Sequence, residues 1–284
     1  MRATGIYLDK NRLQPGETLS GQVTIRTSKS YECNRVVLKI IGKERTERAA
    51  GETNVVEEKH HINTVFTISE GGVVPEGVSQ FPFSFRLPSS LPPSYHGRNG
   101  TIEYSVRSVV EVNWAPDPLS EESFYVLQEG PPSPHEIFDV RRLNQTSGHL
   151  HVKLDSNAIW MNRGIRVRFM VSERSRVKGV RFEILKREEA LCQHHVVNNH
   201  ETVAFEFYPI SPADFESWKD VQVGKTLDCQ LPFRGELISV SYILKVSLDV
   251  SLGRDPDVVI PLEFSKDVPV GNVLDEIERD LWRF

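Results

Sequence analysis

The sequence is poor in cysteine, in long apolar runs and in net positive charge, and each shortage argues against a class of protein. Cys33, Cys192 and Cys229 are its three cysteines. Odd in number, far apart and in no metal-ligand spacing, they argue against a disulfide framework and point to a reducing, cytoplasmic setting. No apolar run approaches the roughly 20 residues that span a bilayer. The opening residues, MRATGIYLDKNRLQPGE, carry no apolar stretch of signal-peptide type and read as mature protein. Asn99-Gly100-Thr101 and Asn144-Gln145-Thr146 match a glycosylation acceptor, which matters only in a secreted chain. The formal charge of -5 argues against a general nucleic-acid binder.

Catalytic signatures are also missing. There is no Gly-x-Ser-x-Gly elbow, no phosphate-cradling glycine loop and no His-Glu-x-x-His. Cys192, His194, His195 and His200 bunch together, but without paired cysteine spacing they read as a polar loop rather than four converging zinc ligands. The expectation is a protein with no catalytic residues, no cofactor and no bound metal. Its 284 residues, 39% hydrophobic and 26% charged, suit two globular domains.

What is present is alternation. Ile102, Tyr104, Val106, Val110 and Val112 take one side of a strand; Thr101, Glu103, Ser105, Arg107 and Glu111 take the other. Successive strand side chains point to opposite faces, so one face meets a core and the other meets water. Val240, Tyr242, Leu244, Val246, Leu248 and Val250 repeat the pattern, as do Val36-Leu38-Ile40 and Ile165-Val167-Phe169. Turn residues punctuate these runs, as at Gln14-Pro15-Gly16-Glu17, and long crossover helices are missing. Segment 46–64, polar and charged, reads as a strand-connecting loop.

The chain also echoes itself. LQPGETLSGQVTI (13–25) is matched by MNRGIRVRFMVSE (161–173), VVLKIIGKE (36–44) by GVRFEILKREE (179–189), and 81–112 by 227–250, each of the last two ending in a long strand with a central tyrosine. Three matches in one order imply two copies of one topology. The expected architecture is all-β: two tandem immunoglobulin-like antiparallel sandwiches at 1–130 and 149–270, a proline-rich linker over 131–148, and a short amphipathic tail at 271–284.

These residues resemble the arrestin superfamily, most of all its arrestin-domain-containing (α-arrestin) branch. The resemblance rests on PGETLSGQVTI, VVLKIIGKERTE, FPFSFRLPSSLPPSYHG with TIEYSVRSVVEV, IWMNRGIRVRFMVSE, VKGVRFEIL, and GKTLDCQLPF with ISVSYILKVSLDV, in the family's order. It implies the arrestin fold, concave faces that dock protein partners, and adaptor or trafficking work on the cytoplasmic regions of membrane proteins. Lys10 stands where the family's phosphate-holding lysines would be. The family's ubiquitin-ligase motifs have no counterpart, because the chain ends soon after its last strand, so a compact tailless form is implied. The alternative is a soluble scaffold like the sporulation-control proteins or the retromer cargo-adaptor subunit. A third reading is a hydrolase hidden in loops 46–64 or 190–202.

Three surface features carry expectations. Arg163, Arg166, Arg168 and Arg181 belong to a run of cations between residues 163 and 187; two such strands side by side would make a positive stripe for phosphopeptide or anionic lipid. Leu274, Ile277, Leu281, Trp282 and Phe284 form one apolar stripe if the C-terminus is helical, to pack on the protein itself, to enter a partner's groove or to mediate self-association. Pro92-Pro93-Ser94-Tyr95 matches a WW-domain ligand, but the resemblance makes it a folded turn. The oligomeric state is open.

Overall fold

The structure, a computed structural model, describes residues 2–51, 53–113, 118–128, 143–160, 163–172, 177–251 and 255–265. The expected tail at 271–284 and linker residues 131–142 lie outside the described residues. The chain divides into two compact units. The first holds the described residues up to Gln128 together with Glu189–Val197 and Phe233–Ser239, so it is not one continuous stretch of chain. The second holds the rest.

In the first half of the chain the strands are β1 (Arg2–Leu8), β2 (Arg12–Leu13), β3 (Thr18–Thr27), β4 (Tyr31–Ala50), β5 (Thr53–Val74), β6 (Gly77–Arg86), β7 (Tyr95–His96), β8 (Gly100–Glu111) and β9 (Leu119–Val126). They form a sheet of order β1-β3-β6 and another of order β2-β9-β8-β4-β5, with β7 also on β8. In the second half they are β10 (Leu143–Ser147), β11 (Leu150–Leu154), β12 (Ala158–Trp160), β13 (Ile165–Val171), β14 (Val177–Cys192), β15 (His195–Pro209), β16 (Lys219–Val223), β17 (Phe233–Arg234), β18 (Ile238–Val250) and β19 (Asp257–Ser265). Their sheets run β10-β11-β13-β16 and β12-β19-β18-β14-β15, with β17 on β18.

The second pair of sheets repeats the first strand for strand, with β10 added at one edge. Even the parallel pairing recurs: β2 runs parallel to β9 and β12 parallel to β19, whereas neighbouring ladders such as β8-β9 and β18-β19 are antiparallel. The all-β double sandwich expected from the alternation is what the chain forms. Val36, Leu38 and Ile40 are buried on β4, opposite Val110, Ser108 and Val106 of β8. Each fully buried aliphatic side chain contributes about 1.5–3 kcal/mol.

The repeated tyrosine has a structural reason. Tyr104 of β8 donates its hydroxyl to the carbonyl of Pro92, at 2.7 Å and twelve residues upstream. Tyr242 of β18 donates to the carbonyl of Gln230, also twelve residues upstream. Each long strand thus pins the turn that leads into it. The Tyr104 ring lies across Gly42, its register partner, where a Cβ would come within 2.5 Å of the ring. Burial, then the charge of Glu44, pushes the Tyr104 hydroxyl far above its ordinary range, so it remains a donor. Tyr104→Phe is expected to cost about 1–2 kcal/mol by stranding the Pro92 carbonyl, read as a lowered urea midpoint with unchanged slope. Leu91, Pro92, Pro93 and Tyr95 are buried in that turn, which is not the flexible, extended segment that WW recognition uses.

Three expectations need correction. Segment 46–64 is not a loop: it is the end of β4 and much of β5, paired from Ala50↔Thr53 inward. Residues 190–202 are not a loop either, but the ends of β14 and β15 about a two-residue turn at Gln193 and His194, both with positive φ (47° and 66°). The hydrolase reading needed those loops. The end of the expected linker, Leu143–Ser147, is strand β10.

Candidate functional site

The most unusual group in the first unit is a buried carboxylate. On β4 the inward positions run Leu38, Ile40, Gly42, Glu44 and Thr46, so Glu44 falls where the pattern demands an apolar residue, and it is fully buried. Its oxygens accept backbone N–H bonds from Glu236 (2.8 Å), Leu237 (3.0 Å) and Ile238 (2.6 Å), and a fourth bond from His61 Nε2 at 2.8 Å. Burial is the largest single influence and raises its pKa, but His61 and the three backbone donors together outweigh it and hold the carboxyl below the ordinary glutamate value. Gly235 passes so close to the carboxylate that a side chain there would strike it. Beside it, Thr46 donates to the Leu191 carbonyl at 2.6 Å and Leu191 N–H to the Leu237 carbonyl at 2.8 Å. Glu44 therefore fastens Phe233–Ser239 into the first unit.

The solvent face of the β2-β9-β8-β4-β5 sheet is polar and charge-paired. Lys43 bonds Glu58 at 3.3 Å; Arg107 and Ser105 both bond Glu121 at 2.7 Å. The bonds from Arg107, then Ser105, hold the Glu121 carboxyl below its usual range. A shallow cavity of about 440 Å³ lies on this face, lined by these residues and by His60, His96 and Tyr125.

At the end of that sheet lies β5. Its beginning is covered: Val55 accepts a bond from Cys192 Sγ at 3.4 Å, and Glu57 one from the Gln193 N–H at 2.6 Å. From Glu58 onward no strand follows β5 in the sheet order among the described residues, and Val65 and Val73 are 57% and 65% exposed. In the second unit β15 holds the matching place, with Phe205 and Phe207 exposed.

The sequence-derived candidates fall as follows. Arg166 and Arg168 of β13 share Asp220 of β16, each at 3.3 Å. Arg181 of β14 pairs with Asp255. Because β13 and β14 belong to different sheets, they are not side by side, and the expected single stripe is not formed. Arg163 sits in the turn before β13, its carbonyl accepting a bond from Gln222. Lys10 is exposed and paired with Glu17 at 3.0 Å. The tail residues Leu274, Ile277, Leu281, Trp282 and Phe284 lie outside the described residues. Cys192 is buried while His194, His195 and His200 are exposed, and among the described residues no group of three or more metal-binding side chains converges. Among the described residues no helix is long and apolar enough to cross a membrane.

Comparison with known proteins agrees with this geometry. Residues 4–130 match the family model for arrestin (or S-antigen), N-terminal domain. The chain is 29% identical over 134 residues to human Arrestin domain-containing protein 1, covering 47% of this chain and 30% of that protein. It is 30% identical over 129 residues to Arrestin domain-containing protein 17 of Caenorhabditis elegans, covering 39% of this chain and 30% of that protein. The matched region is thus less than a third of the length of either relative.

Proposed function

We propose that this chain, which belongs to the arrestin superfamily of arrestin-domain-containing proteins, is a non-catalytic cytoplasmic adaptor that binds the cytoplasmic regions of membrane proteins as extended segments. The observation that carries this reading is the open stretch of β5 from Glu58 to Val73, at the end of a five-strand path and beside a polar, cavity-bearing face. An unpaired strand edge presents a row of N–H and C=O groups, and an extended peptide that adds to it gains backbone hydrogen bonds as affinity. Side chains of the added strand then meet the exposed valines and the charge-paired residues of β4 and β8, which supply selectivity. The exposed Lys59 and His60 on β5 keep the edge polar enough to avoid pairing with a second copy.

The test is a panel of peptides drawn from cytoplasmic segments of membrane proteins, with amide exchange followed residue by residue. A bound peptide is expected to slow exchange along Glu58–Val73 by about tenfold or more. Binding that leaves those amides unchanged would remove the edge from the account. Retrieval of soluble regulators in place of membrane-protein segments would favour the soluble-scaffold alternative.

A further inference from the structure

We propose that the outward face on the β15 side of the second unit is covered by this chain's own residues 272–284. β15 stands last in its sheet, and no strand follows it in the sheet order among the described residues. Tyr208 turns inward, its ring 5.2 Å from that of Phe169, so alternation sends Phe205 and Phe207 outward. They are 53% and 43% exposed. Gly179 of β14 makes room for the second of them, since a Cβ there would strike the Phe207 ring. Phe182 and Ile184 are buried on β14, and Tyr242 and Leu244 on β18, which places Leu185 and Ile243 on the same outward side. Ile243 pairs with Pro261 of β19, and Val259 follows on that side. The cations there are committed, Arg181 to Asp255 and Lys245 to Asp257, so the face offers apolar contact rather than charge.

Single edge strands are protected by lysine, by proline or by a covering element. β5 carries the exposed Lys59, whereas β15 has no lysine or arginine and its one proline stands at its end. Exposed phenylalanines on such an edge attract a second chain unless something else lies over them.

The chain itself supplies a fitting cover. β19 ends at Ser265, and β15 stands three strands away in the order β19-β18-β14-β15, about 14 Å at ordinary strand spacing. Residues 266–271 can bridge up to about 20 Å, enough to bring residue 272 over β15 or any strand on the way. Leu274, Ile277, Leu281 and Phe284 recur at the three- and four-residue intervals of one helical face, with Asp275, Glu276, Glu278 and Arg279 between them. A helix over 272–284 would be about 20 Å long, which is also about the length of strand from Val203 to Pro209. So short a helix does not hold alone in water and needs an apolar surface to lie on. Burying its stripe against the outward face removes both from water. Pairing of β15 with a second copy would cover the edge but leave the stripe exposed. Coverage of β15 is independent of the β5 reading.

The test is hydrogen exchange on the full chain, followed over a range of protein concentrations. Ile277→Asp is expected to speed exchange of amides 203–208 by about tenfold and to leave those of β3 as in wild type. In wild type the protection of 203–208 is expected to be the same at every concentration. A nitroxide on Arg279→Cys, in a chain carrying Cys229→Ser, is expected to broaden the amide signals of Phe205 and Phe207 and to spare Lys153 on the other sheet. The proposal is overturned if Ile277→Asp leaves amides 203–208 unchanged or loosens β3 to the same degree. It is overturned equally if the protection fades on dilution, the mark of a second copy, or if the nitroxide leaves Phe205 and Phe207 at full intensity.

Discussion

Glu44→Ala is expected to destabilise the first unit by about 3–5 kcal/mol, as breaking a buried ionic cluster from one side usually does. The substitution removes the acceptor from three successive N–H groups, those of Glu236, Leu237 and Ile238, and from His61. Buried donors without partners carry their full desolvation cost, about 1–3 kcal/mol each. Among the described residues no neighbouring carboxylate is placed to take over: Glu236 itself reaches only the other ring nitrogen of His61, at 3.8 Å, and its side chain is 56% exposed. The local consequence should be as clear as the global one. Amides 236–238 are expected to exchange at least about a hundredfold faster in Glu44→Ala, because their protection depends on this carboxylate. Glu44→Gln keeps one acceptor oxygen but turns an NH₂ group toward other donors, so its loss should fall between wild type and alanine. A Glu44→Ala protein within about 1 kcal/mol of wild type, the size of a lost surface contact, would mean that the cluster holds nothing.

The same carboxylate sets a pH dependence with a definite sign. Folding lowers the Glu44 pKa, so the folded state binds its proton less readily than the unfolded chain does. Its stabilisation is fully present above the ordinary glutamate value of about 4.3 and disappears as the pH falls through the lower, folded value. The gap in stability between wild type and Glu44→Gln should therefore be widest near neutrality and narrow in acid.

Much of this architecture was legible because strands with one wet face announce themselves. Ile102-Tyr104-Val106 on β8, Val240-Tyr242-Leu244 on β18 and Ile165-Val167-Phe169 on β13 all point inward as their alternation requires. The paired tyrosines marked the repeat, and the structure gives each the same bond to a carbonyl twelve residues back. The far ends of the hairpins were misread as loops because the apolar beat stops there while the strands continue. From Arg45 to Glu58 the chain is mostly polar, so composition suggests a loop although the β4–β5 ladder continues to Ala50↔Thr53. Glu44 was missed for a related reason, yet its signal was present: it continues the inward phase of Leu38, Ile40 and Gly42. Glu188 does the same on β14, after Phe182 and Ile184, and it too is buried. A charged residue in the buried phase of a strand deserves the question of what will neutralise it. The answer for Glu44 lies almost two hundred residues downstream, a distance that no local pattern spans. The arginine stripe failed on pairing: alternation put Arg166, Arg168 and Arg181 on solvent faces, but could not say that β13 and β14 enter different sheets.

Phe169→Ala should be the corresponding blow to the second unit, with an expected loss of about 3–5 kcal/mol. Phe169 is fully buried on β13, in the sheet whose neighbours are β11 and β16. Its ring meets Phe182 of β14 edge-on at 5.1 Å and Tyr208 of β15 at 5.2 Å, so one side chain links the facing layers of the sandwich. Two such edge-on pairs add about 0.5–1.5 kcal/mol each beyond the area buried. Truncation leaves a void bounded by strands that are tied into ladders on their other side, and so cannot collapse to fill it. Phe169→Leu, which keeps most of the volume but neither ring pair, should lose less, by about 1–3 kcal/mol. Urea unfolding followed by far-ultraviolet dichroism checks both. If alanine and leucine cost the same, the rings matter more than the volume; if neither costs as much as about 1 kcal/mol, well below the range of about 3–5 for such a truncation, Phe169 does not join the two layers.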